Sequence, residues 1–209
     1  WLWRRIQIRA VSKDKDGEKL GYFHGGFVSI VDAVAQKIRE FGGTIVTGQG
    51  IERIVQRDNG AAVMVNGVLQ EFDAVIATVP SPVFARFVEG NDGVTKEYTD
   101  KLKSIDYLGA VILVFVTDQL ISPYFWHNIN DSNIPFLVLL STSALTGTEA
   151  FGGKHIYYIG AYVPAEHRYF SQPEEEIMNE WKAGLKTMFP HFDETKIGGE
   201  KLFRFKDAQ

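Results

Sequence analysis

The chain has 209 residues, 45% hydrophobic and 23% charged, which is ordinary for a globular protein and excludes disordered, fibrous and low-complexity classes. Its net charge of −4 lacks the basic footprint of a nucleic-acid binder. The absence of cysteine excludes disulfides, thiolate zinc sites, iron–sulfur clusters and a cysteine nucleophile.

The opening Trp1-Leu2-Trp3-Arg4-Arg5 is neither a signal peptide nor a natural start, so the chain is expected to be cut from a longer one. Apolar residues at 1, 3, 6, 8 and 11 fit a helix or a strand, taken as a helix, and Ser12 to Lys19 is expected as a charged loop. From Phe27 to Phe41 the apolar spacing is helical, and Gly42-Gly43 supplies the stop. Short β runs follow at Thr44 to Thr47, Ile51 to Arg57, Ala61 to Asn66, Val68 to Phe72 and Ala74 to Thr78. Asp58-Asn59-Gly60 and Asn66-Gly67 are hairpin-type turns between the middle runs. Val75-Ile76 suggests a strand covered on both faces, ended by Pro80 and Pro82, with Pro82 opening a short helix to Val88.

Further on, Lys96 to Lys103 is expected as a polar helix, and Tyr107 to Thr117 as a long strand. Its apolar core, Leu108 to Val116, is nine residues, far short of the ~20 that cross a bilayer as a helix. Strands are expected at Phe125 to Ile129, Phe136 to Leu140 and His155 to Val163, with a polar loop from Ser141 to Gly153. Ser171-Gln172-Pro173 followed by Glu174 to Glu176 begins a helix running to Met188, because Pro suits the first turn and acidic groups suit the positive end of the dipole. Lys201 to Phe205 is the last strand. The fold class expected is α+β, with a glycine-rich α/β block carrying a β-meander and a mixed or antiparallel sheet of about five strands flanked by helices.

Three stretches resemble a known family. Gly25-Gly26 before a helix that ends at Gly42-Gly43, then Ile45 and Gly50-Ile51-Glu52-Arg53-Ile54, is similar to the middle of the flavin-containing amine oxidoreductases, which include protoporphyrinogen oxidases, phytoene desaturases and monoamine oxidases. Glu71-Phe72-Asp73-Ala74-Val75-Ile76-Ala77-Thr78-Val79-Pro80 resembles that family's "xADxVIxAxP" strand, and Arg204 to Gln209 resembles its "xRxxxAxP" element. The resemblance implies an FAD-dependent oxidoreductase that transfers hydride from a small organic substrate to flavin. Residues 19–88 would be part of the FAD-binding domain, and 1–18 with 89–209 the substrate domain.

It places a cofactor contact at Ile51, where a strand can offer backbone groups to the adenine edge; the alternative is that Ile51 and Ile54 simply point into a core. Thr78, Val79 and Pro80 would stand at the carboxyl end of a parallel strand, where α/β sheets place ligands, or would be an ordinary exit into a loop. The family's G-x-G-x-x-G turn and closing Gly-Asp are missing, so the chain alone is expected to bind FAD weakly or not at all. Where amine oxidase members carry a lysine, Leu113 stands, which favours protoporphyrinogen oxidase-like, desaturase-like or mutase-like relatives.

No catalytic side chain stands out, as is usual where the cofactor carries the chemistry. The five histidines are scattered, so no metal site is expected. Around one strand, Ile156, Tyr158, Gly160 and Tyr162 share a face, and His155, Tyr157, Ile159 and Ala161 share the other. Tyr158, Tyr162 and Leu113 are the candidates for a substrate pocket, against the alternative of plain sheet packing. A cytoplasmic location, or one peripheral to a membrane, goes with this reading. The competing function is a non-catalytic α/β–β binding module that shares only the architecture.

Overall fold

The computed structural model describes residues 2–11, 13–14, 17–18 and 21–208, and the chain divides into two compact units, Trp1–Ile45 and Val46–Gln209. In the first unit, α1 (Leu2–Val11) is helical, as its pattern predicts. The charged stretch after it includes a two-rung antiparallel ladder between β1 (Lys13–Asp14) and β2 (Gly17–Glu18); the expected loop at 12, 15, 16 and 19 otherwise lies outside the described residues. Helix α2 (Val28–Glu40) stops where Gly42, at φ 82°, turns the chain left-handed. That turn lets the Gly43 N–H donate to the Ile38 carbonyl (2.8 Å) and the Gly42 N–H to that of Arg39 (3.0 Å). No residue of α2 is buried, so its apolar stripe at Val31, Val34 and Ile38 is exposed.

The second unit begins with a three-stranded meander, β3 (Ile51–Arg57), β4 (Gly60–Val65) and β5 (Val68–Phe72), antiparallel in the order β3-β4-β5. The Asn66-Gly67 turn has φ of 52° and 74° at its two residues, the paired positive angles that match the twist of a tight hairpin. Two expected strands are absent. Thr44–Thr47 and Ala74–Thr78 are irregular or extended without a ladder, and Ile76 is 89% exposed. A parallel strand exists only through its neighbours, and among the described residues none pairs with either segment.

Helices α3 (Ser81–Val88) and α4 (Lys96–Lys103) follow, the first with Pro80 as its N-cap and the second capped by Thr95 Oγ1, which accepts from the Tyr98 N–H at 3.2 Å. Then comes a five-stranded antiparallel sheet built from β6 (Leu108–Thr117), β7 (Trp126–Asn128), β8 (Val138–Ser141), β9 (His155–Pro164) and β10 (Ile197–Phe205), in the order β10-β6-β9-β8-β7. A short helix, α5 (Thr142–Thr146), occupies part of the expected polar loop. Helix α6 (Glu174–Met188) buries Ile177, Trp181 and Leu185 in one core with Val111, Leu113, Phe115, Leu139, Tyr157, Ile159 and Leu202 from one face of the sheet. The α+β class expected from the sequence is therefore the class observed, and the large sheet is wholly antiparallel.

Candidate functional site

Strand alternation divides the large sheet into a covered and an open face. On β6 the residues Val111, Leu113 and Phe115 enter the core, so Ala110 and Ile112 project from the other side. In register with them across β9 are Tyr162 and Gly160, and Leu140 on β8 stands opposite both Tyr158 and Trp126. Together they line a cavity of about 330 Å³. Trp126 and Tyr162 form exposed walls, 54% and 50% accessible. The Trp126 indole N–H donates to Asn128 Oδ1 at 2.8 Å, which fixes the ring against this face.

Gly160 lies in the floor, where an added Cβ would stand 3.1 Å from Val138 Cγ1. On the neighbouring edge strand, Phe203 and Phe205 pair with Ile112 and Ala110 and stack on each other with centroids 6.5 Å apart and planes 6° from parallel. None of the described residues lining the cavity is Asp, Glu, Lys, Arg or His. The arrangement can hold a flat apolar group, with ring faces and edges available for stacking.

Tyr158 and Tyr162 therefore stand together in this cavity. Leu113 does not join them. It is 0% exposed, on the opposite face beneath α6, because the strand places consecutive side chains on opposite sides. The β6 residues that do reach the cavity are Ala110 and Ile112, neither of them a lysine. Trp126 and Asn128, within the strand expected at Phe125 to Ile129, also line the cavity and are not among the pocket candidates. They reach the site only through the pairing of β7 with β8 and of β8 with β9, a non-local contact with no signal in the local pattern.

The expected cofactor residues are not gathered at one place. Ile51 lines a cavity of about 380 Å³ with Val63, Val65, Gln70 and Phe72. Val79 lines another of about 600 Å³ with Ile54, Ser81, Phe84 and Asn91. Ala74 and Val75 border both. Thr78 is exposed, Pro80 caps α3, and the pair follows an unladdered segment rather than a sheet strand. Strand β3 is an edge of the meander, and Asn91 Nδ2 already donates to the Ile54 carbonyl at 2.6 Å. At the start of α3, the Ser81 hydroxyl and backbone N–H hold the Tyr107 phenol below its ordinary range.

Three of the histidines are held in hydrogen bonds. The Ser122 hydroxyl meets His127 Nε2 at 2.7 Å, Ser143 meets His155 Nδ1 at 3.2 Å, and His191 Nε2 meets the Ile121 carbonyl at 3.1 Å. Both serines are buried, which removes them as accessible nucleophiles.

A helix-backed antiparallel sheet with an open aromatic face, together with a β-meander, defines an α+β protein. The chain belongs to the flavin-containing amine oxidoreductase family, whose profile matches residues 6–204. No curated protein matches its sequence. Among solved structures it is similar to an oxidoreductase from Methanosarcina mazei, with a TM-score of 0.71 and 18% identity over 88% of this chain and 43% of that one. It is also similar to a protein from Exiguobacterium provisionally assigned as a protoporphyrinogen oxidase (TM-score 0.68, 12% identity, 88% of this chain and 39% of that one). A reduced UDP-galactopyranose mutase gives a TM-score of 0.69 at 15% identity over 98% of this chain and 46% of that one. The chain thus spans less than half the length of each of these structures.

Family membership implies flavin. Of the described surfaces, the one bordered by Ile51, at an edge strand beside an apolar cavity, suits a flat ring of that group; the cavity floored by Gly160 is a separate one.

Proposed function

We propose that this chain supplies the substrate-binding sheet and part of the cofactor-binding segment of an FAD-dependent oxidoreductase acting on a small organic molecule. The observation that carries this reading is the open, glycine-floored aromatic face of β6, β8 and β9 in a chain of a flavin family. FAD, when bound, accepts the hydride that leaves the substrate. The protein's own part is positioning: Trp126, Tyr158 and Tyr162 grip a flat substrate and exclude water, while Ala110 and Gly160 leave it room. Ile51 and the β3 backbone would face the adenine, and Thr78, Val79 and Pro80 would line the cofactor's path. In this division residues 19–88 serve the cofactor, and 1–18 with 89–209 the substrate. By itself the chain would retain no FAD and be inactive, since a pyrophosphate needs a glycine-rich turn at a helix N-terminus that this sequence lacks.

The reaction is closer to that of protoporphyrinogen oxidases than to that of amine oxidases. Support comes from the cavity side of β6, where Ala110 and Ile112 leave no lysine to hold a water at the reacting bond. Among the described residues no helix is long and apolar enough to cross a membrane, and a cytoplasmic setting completes the reading. The test is anaerobic mixing of the full-length protein with a porphyrinogen and, separately, with putrescine. The porphyrinogen should bleach the flavin and the diamine should not. Bleaching by putrescine alone would overturn the preference.

A further inference from the structure

We infer that Asn66 is a site of spontaneous chemical modification, converting to aspartate and isoaspartate with loss of ammonia, and that the Glu52 carboxylate sets its pace. The chain holds two Asn-Gly pairs, Asn59-Gly60 and Asn66-Gly67. Such pairs are labile because glycine, with no Cβ, leaves its backbone nitrogen open to the asparagine side chain. That nitrogen, once it has given its proton to solvent, bonds to the side-chain carbonyl carbon. The C–N bond of the side-chain amide then breaks, ammonia leaves with a proton taken back from water, and a second water opens the cyclic imide on either side. Water is the only co-reactant.

The fold treats the two pairs differently. Gly60 opens β4 in register with Arg57, and its backbone presses so closely on the end of β5 that a Cβ would stand 2.3 Å from the Phe72 carbonyl oxygen. Ring closure at Asn59 would have to break that rung of the ladder. Asn66 and Gly67 instead form the tip of the next hairpin, beyond the last pair of Val65 with Val68. Asn66 is exposed, and a Cβ on Gly67 would meet nothing within 4 Å. One group does reach the nitrogen that must attack. Strand β3 bulges at Glu52, which is unpaired between the rungs of Ile51 with Val65 and Arg53 with Met64, and the Glu52 carboxylate accepts from the Gly67 N–H at 3.0 Å. A bulge re-aims the side chain it carries. A negative group at this distance favours the protonated nitrogen over the anion that attacks, so Glu52 slows the reaction without closing the site. The product places a second carboxylate one residue from the amide that Glu52 holds, and like charges then weaken this link between the turn and the strand of Ile51.

The test incubates the whole chain at mildly alkaline pH and maps the products by proteolytic digestion and mass spectrometry, with circular dichroism as the control for folding. Asn66 should convert ahead of Asn59 in the folded chain, and that order should not persist in urea. Glu52→Gln, which can still accept from Gly67 but carries no charge, should speed conversion of Asn66 by about fivefold, the effect of one unit charge at this distance in water-like surroundings, and leave Asn59 unchanged. If Glu52→Gln does not fold, Glu52→Asp withdraws the charge on a shorter arm, and acceleration at Asn66 is again expected. Conversion of Asn59 first in the folded chain, no conversion of Asn66 over a time in which the urea-unfolded chain converts, or an unchanged Asn66 rate in a folded Glu52 variant would each overturn the inference. The reaction needs no flavin, so its outcome is independent of the proposed function.

Discussion

Tyr169 illustrates how much of the core's order is carried by single polar atoms. Its hydroxyl donates to the Pro135 carbonyl at 3.1 Å and lies 3.4 Å from Glu180 Oε1, itself paired with Arg168 at 2.6 Å. Burial pushes the Tyr169 phenol above its ordinary value of 10.0. A raised folded-state value means that its contribution is fully present below 10.0 and is lost as pH climbs through the folded value. Tyr169→Phe should therefore cost about 1 kcal/mol at neutral pH and also flatten the alkaline loss of stability. Chemical unfolding at neutral and alkaline pH checks both, and an equally steep alkaline decline in the variant would contradict the assignment. Gly109 makes a different demand. A Cβ there would run into the Phe170 ring, a rigid group in a packed site, so Gly109→Ala should destabilise by about 1–3 kcal/mol, read as a lower urea midpoint with unchanged slope.

At the scale of elements, α6 is the piece on which the large sheet depends. Pro173 and three glutamates start it, and Gly184 lets it approach closely, since a Cβ there would stand 2.8 Å from Pro135 Cδ. Trp181 is 0% exposed, with its ring 5.5 Å from Tyr169 and 5.8 Å from Phe136. Trp181→Ala should cost about 3–5 kcal/mol, and a loss below 1 kcal/mol in equilibrium unfolding would show that α6 is not the lid of the core. These features were legible in the sequence because they are local: the Pro-Glu start, the spacing of Ile177, Trp181 and Leu185, the Gly42-Gly43 stop and the Asn66-Gly67 turn all act within one element. The parity of Tyr158, Gly160 and Tyr162 was legible too. Which face would stay open was not, since that depends on α6 covering the other. Leu113 shows the cost: the family pattern pointed to a residue of β6 that lies on the covered face, away from the cavity. The unpaired segments at Thr44–Thr47 and Ala74–Thr78 failed for the converse reason, that strand propensity without a neighbour makes no ladder.

Across the whole molecule, order is concentrated in the five-stranded sheet. Strands β6 and β9 pair over ten residues each and are central, so their amides should exchange slowest with solvent, whereas those of Ala74–Thr78 should exchange fastest within the second unit. Fast exchange in β6 would contradict the placement of the core. The aromatic face, by contrast, is left open by the described residues. The central claim is that the residues gathered there serve a flavin enzyme. Its most direct test is the visible absorption spectrum of the protein expressed from its natural reading frame. A yellow protein that releases FAD on denaturation is the expected result; a colourless protein that takes up no FAD when it is supplied would contradict the account.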